Sequence, residues 1–210
     1  LSWSSGYDLG WKAVASNIAD VAAMGAVPTS LVVALTAPVD TQVSWLEAFA
    51  DGLRDACEQL APGCAVVGGD LASSNQVMIS VAAHGSLEGR EPVLRSGAKI
   101  GDLVAVAGTM GRAAAGLALL QSGNTDAISA YDDWVNIQLR PKPPISAGKD
   151  AAIAGAVLLG ICEPQMTGIG GDCFVLLKPA GQEKVLAVNG SGRAPSGGST
   201  PPDLVVMDLM

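Results

Sequence analysis

The chain has 210 residues, a formal net charge of −8, and 49% hydrophobic against only 15% charged residues. That length allows one large domain or two small ones, with enough apolar material for a buried core. The acidic balance disfavours non-specific binding to nucleic acid or to an anionic membrane. It does not disfavour a nucleotide, because a bound Mg²⁺ can bridge acidic side chains and phosphates. Aromatic residues make up 4% of the chain, so a core of Ala, Val, Leu and Ile, packed closely at many of the 26 glycines, is expected. The four cysteines, Cys57, Cys64, Cys162 and Cys173, form no Cys-x-x-Cys pair, and His84 is the only histidine. A zinc site is disfavoured. Buried free thiols in a reducing, cytoplasmic setting are the expectation. No apolar run approaches the ~18 residues of a membrane span. No signal-peptide pattern opens the chain, and Leu1 in place of methionine points to a start inside a longer protein.

In chain order, Asp8 is expected to cap a helix over Leu9 to Met24, closed by Gly25. Ser30 to Thr36 reads as a buried strand ended by Ala37-Pro38. Thr41 to Leu60 is the clearest helix, with Leu46, Phe49, Ala50, Leu53, Cys57 and Leu60 on one face and mostly charged residues on the other. Short strands follow at Ala65 to Gly68 and Gln76 to Gly85, the second with apolar residues on both faces. Leu87 to Gly101 is a polar connection. Leu103 to Ala107 forms a strand, and a helix runs from Arg112 to Gln121, closed by Gly123. Arg140-Pro141-Lys142-Pro143-Pro144 breaks any helix and reads as an interdomain connection. Asp150 to Gly160 is expected to be an Ala-rich helix. A hairpin follows, with strands at Phe174 to Leu177 and Val185 to Val188. This order indicates a mixed α/β (α+β) fold.

Two acidic stations stand out, fifty residues apart. Asp20 sits in the small-residue helix segment Asn17-Ile18-Ala19-Asp20-Val21-Ala22-Ala23-Met24-Gly25. Asp70 ends the apolar stretch Val66-Val67-Gly68-Gly69-Asp70. Glycines let a backbone approach a ligand closely, and carboxylates suit Mg²⁺, which takes oxygen ligands shared with phosphate and water. The pair suggests a Mg²⁺-nucleotide site. Gly108 to Gly111, between a strand and a helix N-terminus, could offer N–H groups to a phosphate, although it fits neither the Walker A nor the G-x-G-x-x-G pattern. Lys12 is expected at the surface, Asn17 beside Asp20 as an orienting group, His84 in a structural role, and Asp102 at the start of a strand.

At these stations the chain resembles the thiamine-monophosphate kinase family, of the aminoimidazole ribonucleotide synthetase-like superfamily. The resemblance covers Leu1-Ser2-Trp3-Ser4, Asp8-Leu9-Gly10-Trp11-Lys12-Ala13, both acidic stations, Leu94-Arg95-Ser96-Gly97-Ala98-Lys99-Ile100-Gly101-Asp102, and the run from Ala107 to Leu117. It implies a mixed sheet with packed helices like the N-terminal domain of those kinases, followed by a short helix and hairpin. It implies ATP-dependent phosphorylation of thiamine monophosphate to thiamine diphosphate, with Asp20 and Asp70 as Mg²⁺ ligands. It places Gly69, Asp70 and Arg95 against ATP, where a guanidinium suits phosphate oxygens, and it implies a homodimer. The implied partners are ATP and thiamine monophosphate, with no nucleic acid and no membrane.

From about Lys149 the chain departs from that family. Its Asp-x-Ser-Asp-Gly-Leu motif is absent, as are an upstream Gly-Asp-Asp motif and the segment expected before Leu1. Glu163-Pro164-Gln165-Met166-Thr167-Gly168-Ile169-Gly170-Gly171-Asp172 and Asn189-Gly190-Ser191-Gly192-Arg193-Ala194-Pro195 instead resemble the early part of gamma-glutamyltransferases. Ser191 stands where many of those enzymes carry a substrate-binding arginine, and Arg193 lies two residues later. The resulting organisation is an incomplete ATP/Mg-binding domain over 1–148, a gamma-glutamyltransferase-like fragment over 150–195, and a disordered tail over 196–210. This chain alone is expected to be inactive as a kinase. The alternatives are an N-terminal-nucleophile hydrolase fragment and a non-catalytic, self-associating α/β remnant.

Overall fold

A computed structural model describes residues 3–97, 102–108, 110–155, 157–161, 173–178 and 204–207. Helix α1 (Gly6–Ala23) starts one turn earlier than expected, because Ser5, not Asp8, is the N-cap. The Ser5 hydroxyl accepts from the Asp8 N–H at 3.2 Å, and the Asp8 carboxylate accepts from the Ser5 N–H at 2.9 Å. This reciprocal capping box satisfies two orphan donors. Strand β1 (Val27–Ala37) alternates, with Leu31, Val33 and Leu35 buried and Val32 and Ala34 exposed. Helix α2 (Val43–Leu60) turns Phe49, Leu53, Ala56 and Cys57 inward. Strand β2 (Ala65–Ser73) runs parallel to β1, and β3 (Met78–Ser86) runs antiparallel on its other side.

This three-stranded sheet, in the order β2-β1-β3, is covered on one face by α1 and α2. Trp11, Val14 and Ile18 meet Leu31, Val33 and Leu35 there, with Phe49 and Leu53 from α2. The helices cross in direct backbone contact. A Cβ at Gly10 would lie 2.1 Å from the Phe49 carbonyl oxygen, and one at Gly52 would lie 2.1 Å from that of Tyr7. Strand β3 differs from the sequence expectation, since one face only is covered. Ile79, Val81 and Ala83 pack on the core, while Met78, Ser80 and Ala82 are exposed.

The second sheet has the order β5-β6-β4-β7, built from β4 (Leu103–Gly108), β5 (Val157–Ile161), β6 (Cys173–Lys178) and β7 (Leu204–Met207), all neighbours antiparallel. Between β4 and β5 lie α3 (Arg112–Ser122), α4 (Thr125–Ala130), α5 (Asp132–Leu139) and α6 (Ile145–Ile153). Gly123 caps α3 in the left-handed conformation, as its type favours. A cluster whose buried members are alanines, Ala19 and Ala22 of α1, Ala105 and Ala107 of β4, and Ala147 and Ala151 of α6, with Val93 and Ile145 packed against it, ties the first unit to the second.

The mixed α/β fold with a small mixed sheet and packed helices agrees with the sequence expectation. The helix expected over Asp150 to Gly160 is shorter: α6 stops at Ile153, and Val157–Ile161 pairs with β6. Strand β6 contains the expected Phe174 to Leu177, but it pairs with β4 and β5. The expected hairpin partner, Val185 to Val188, lies outside the described residues. Within the stretch 196–210, Leu204–Met207 pairs with β4.

Candidate functional site

Asp70 lies within β2, three residues before its end, rather than behind the strand. The ladder to β1 continues past the two glycines because Gly69 can sit against it. A Cβ there would stand 2.0 Å from the Val33 carbonyl oxygen. Asp70 is in register with Ala34 of β1, which is in register with Ser80 of β3, and all three are exposed. Strand β2 is exposed along its whole length, with Val67 at 67% and Leu71 at 58%. Asp70 therefore stands on a sheet edge that α1 and α2 leave open, beside exposed apolar side chains.

Asp20 is in the last turn of α1 and is exposed. The next residue, Val21, abuts Gly85, close to the register partner Pro28 near the start of β1. From Pro28 to Ala34 an extended strand covers roughly 20 Å. The two acidic stations thus occupy different ends of the first sheet within one chain. Among the described residues no group of three or more His, Cys, Asp or Glu side chains is placed to hold a metal ion.

Arg95 begins a single 3-10 turn, Arg95–Gly97, and its side chain lies outside the described part. Gly108 ends β4 with φ +100°, and Gly111 opens α3 with φ +88° and no side-chain cap. Asn17 donates its amide to the Ala13 carbonyl at 2.8 Å, one turn back in its own helix, so its bond is not to Asp20. Lys12 is not a surface lysine: it is partly buried and donates to the Gln138 carbonyl at 2.9 Å. Burial at this α1–α5 contact pulls its pKa below the usual lysine value. His84 is exposed on β3, and Asp102 is buried just before β4. Gly168 to Gly171, Ser191 and Arg193 lie outside the described residues.

A second concave feature has no counterpart in the sequence expectations. A cleft of about 610 Å³ opens between the first half of α1, the start of α3 and the α5–α6 connection, lined among others by Trp11, Arg112, Asn136, Arg140 and Lys142. The one trace of it in the sequence is the pair of cations, Arg140 and Lys142, flanking Pro141.

Residues 2–87 match the family described as AIR synthase related protein, N-terminal domain. Residues 147–200 match the family described as gamma-glutamyltranspeptidase. Thiamine-monophosphate kinase of Mycobacterium tuberculosis is 44% identical over 156 residues, covering 74% of this chain and 45% of that protein. The crystal structure of thiamine monophosphate kinase from Aquifex aeolicus superposes with a TM-score of 0.70 at 27% identity, over 83% of this chain and 72% of that one. A structure of AaThiL complexed with AMPPCP and TMP superposes with a TM-score of 0.62 at 31% identity, over 73% of this chain and 49% of that one. The chain spans less than half the length of the curated relative it matches. No helix among the described residues is long and apolar enough to cross a membrane. The chain is similar to that thiamine-monophosphate kinase over 74% of its length, and its residues 2–87 are similar to the N-terminal domain of AIR synthase related proteins.

Proposed function

We propose that this chain carries the nucleotide-binding half of an ATP-dependent thiamine-phosphate kinase, with Asp70 as its principal Mg²⁺ station. The observation that carries this reading is the 44% identity over 156 residues to a thiamine-monophosphate kinase. The exposed setting of Gly69-Asp70 on an open sheet edge supports it. Phosphoryl transfer asks a protein chiefly to position phosphates and neutralise their charge. A carboxylate beside a close-packed glycine would hold the Mg²⁺, and Arg95 supplies a guanidinium to the phosphates. Asp20 is too far along the sheet to share an ion with Asp70 of the same chain. It joins the site from a second copy, in a homodimer formed through the uncovered face and edge of the first sheet. The substrate on this reading is thiamine monophosphate, and the setting is cytoplasmic. The chain by itself binds Mg²⁺-nucleotide without turnover, because the sequence beyond Lys149 departs from the kinase pattern.

Isothermal titration of the purified chain with a non-hydrolysable ATP analogue, with and without Mg²⁺, tests this. Mg²⁺-dependent binding that weakens about tenfold or more in Asp70→Asn is expected. A folded sample that binds no nucleotide in Mg²⁺ would sink the proposal.

The match of residues 147–200 to gamma-glutamyltranspeptidases supports a second, narrower reading of the C-terminal part. We propose that residues 150–195 are a fragment related to those enzymes, without their chemistry. A hydroxamate assay with a gamma-glutamyl substrate should give no product above the blank, and product formation would overturn this.

A further inference from the structure

We propose that the cleft between α1 and the α5–α6 connection binds a small oxyanion of the phosphate class, apart from the kinase-like site. Its volume of about 610 Å³ lies in the range of small-ligand sites. Three cations, Arg112, Arg140 and Lys142, line it against one carboxylate, Asp133. In a chain of net charge −8 this is a local reversal of sign. A concave wall with an excess of one sign of charge, here three cations against Asp133 and the Asp8 paired with Arg140, focuses the field on its opening.

Two of the three cations, Arg140 and Lys142, are held in place. Arg140 donates from Nη2 to the Asn136 side-chain oxygen, and its Nε lies 3.3 Å from the Asp8 carboxylate. That Nε is buried without a hydrogen-bond partner, and the Arg140 side chain as a whole is 40% exposed. Lys142 holds its ammonium 5.7 Å above the Trp11 ring, and Trp11 is itself fixed by its bond to Pro141. Arg112 opens α3, is exposed, and has no ion-pair partner among the described residues. A fork of guanidinium donors beside an ammonium is the donor set that phosphate oxygens accept from. Asp133 disfavours a bare multiply charged anion, and it can accept a hydrogen bond from the organic part of a phosphate monoester.

The cleft is separate from both acidic stations. No residue of the first sheet lines it, so Asp70 is not part of it. It lies at the Tyr7–Trp11 end of α1, and from Asp8 to Asp20 that helix advances about 18 Å.

The test is titration of the intact chain with inorganic phosphate and, separately, with adenosine monophosphate, in EDTA so that Mg²⁺-dependent binding is silent. Saturable binding is expected, weakened about tenfold or more in Arg112→Glu and in Lys142→Glu with unchanged circular dichroism, and unaltered in Asp70→Asn. Tighter binding of the monoester than of phosphate would identify an organic phosphate as the occupant, and equal binding would identify the free oxyanion. The absence of saturable binding of either probe would overturn the proposal. So would an affinity indifferent to both charge reversals, or one lost only in Asp70→Asn.

Discussion

Trp11 in α1 donates its indole N–H to the carbonyl of Pro141, 2.8 Å away and 130 residues further along the chain. Trp11 is 2% exposed, and Pro141 and Pro143 are buried. The Arg140–Pro144 segment that breaks the helices is thus packed into the core instead of hanging as a loose tether. Pro141 cannot donate a backbone N–H, but its carbonyl still needs a donor, and the indole is that donor.

Trp11→Phe should expose the value of this bond. The aromatic anchor is kept in part, but the smaller ring leaves a cavity and the buried carbonyl loses its partner, the latter alone a loss of about 1–3 kcal/mol. Urea unfolding should show a lower midpoint at unchanged slope. An unchanged midpoint would mean that water reaches the Pro141 carbonyl.

Gly10→Ala should be more damaging than an ordinary surface substitution. The new Cβ would stand 2.1 Å from the Phe49 carbonyl oxygen and 2.9 Å from the Leu53 nitrogen, both backbone atoms that cannot swing aside. Overpacking of this kind costs about 1–3 kcal/mol or more. Gly63→Ala, where nothing lies within 4 Å, meets only the strain of its φ of +98° and is the control. Equal losses at the two positions would argue against close helix contact.

Lys12 makes stability depend on pH. Its folded pKa is pulled below the ordinary 10.5 by burial. Below the folded pKa both states carry the charge, and the folded state bears the cost of burying it. As pH rises through the folded pKa towards 10.5, the unfolded chain holds more protons than the folded one, so stability rises. The unfolding midpoint of the wild-type chain should gain on that of Lys12→Met as the pH rises towards 10.5. Parallel pH profiles would show that the ammonium is not desolvated.

Cys57 and Cys64 should be silent towards thiol reagents while the chain is folded. Both are buried, at the end of α2 and just before β2. Burial pushes the Cys57 thiol up to about 12, so almost none of the reactive thiolate exists near neutral pH. In a Cys162→Ser/Cys173→Ser background, Ellman's reagent should label neither thiol until denaturant is added. Fast labelling of the native chain would contradict this burial.

The sequence was most legible where one element carries its own pattern. Helix α2 shows a clean apolar stripe, and β1 a β-branched run between polar ends. It was least legible where pairing decides. Gly68 and Gly69 argue locally against a strand, yet the parallel ladder to β1 carries β2 through to Ser73. Val157–Ile161 looks like the end of an Ala-rich helix, but it pairs with β6. Helices α4 and α5 mix acidic, aromatic and small residues without a strong period, so nothing local announced them. Asp20 and Asp70 could each be picked out, but their separation depends on α1 running back along β1, which no local pattern encodes. Arg112 and Arg140 are likewise brought to one cleft only by the packing of α3 and α5, where Gly116 meets the Trp134 carbonyl.

The glycine contact between α1 and α2 has a mechanical consequence. Where helices touch through side chains, small slides are absorbed by rotamer changes. At Gly10 and Gly52 there are no side chains to adjust, and backbone meets backbone. The two helices therefore translate and tilt together, as one stiff plate riding on β1. A shift of α1, whose first half walls the cationic cleft with Tyr7 and Trp11, therefore has no side-chain rotation at Gly10 or Gly52 to take it up.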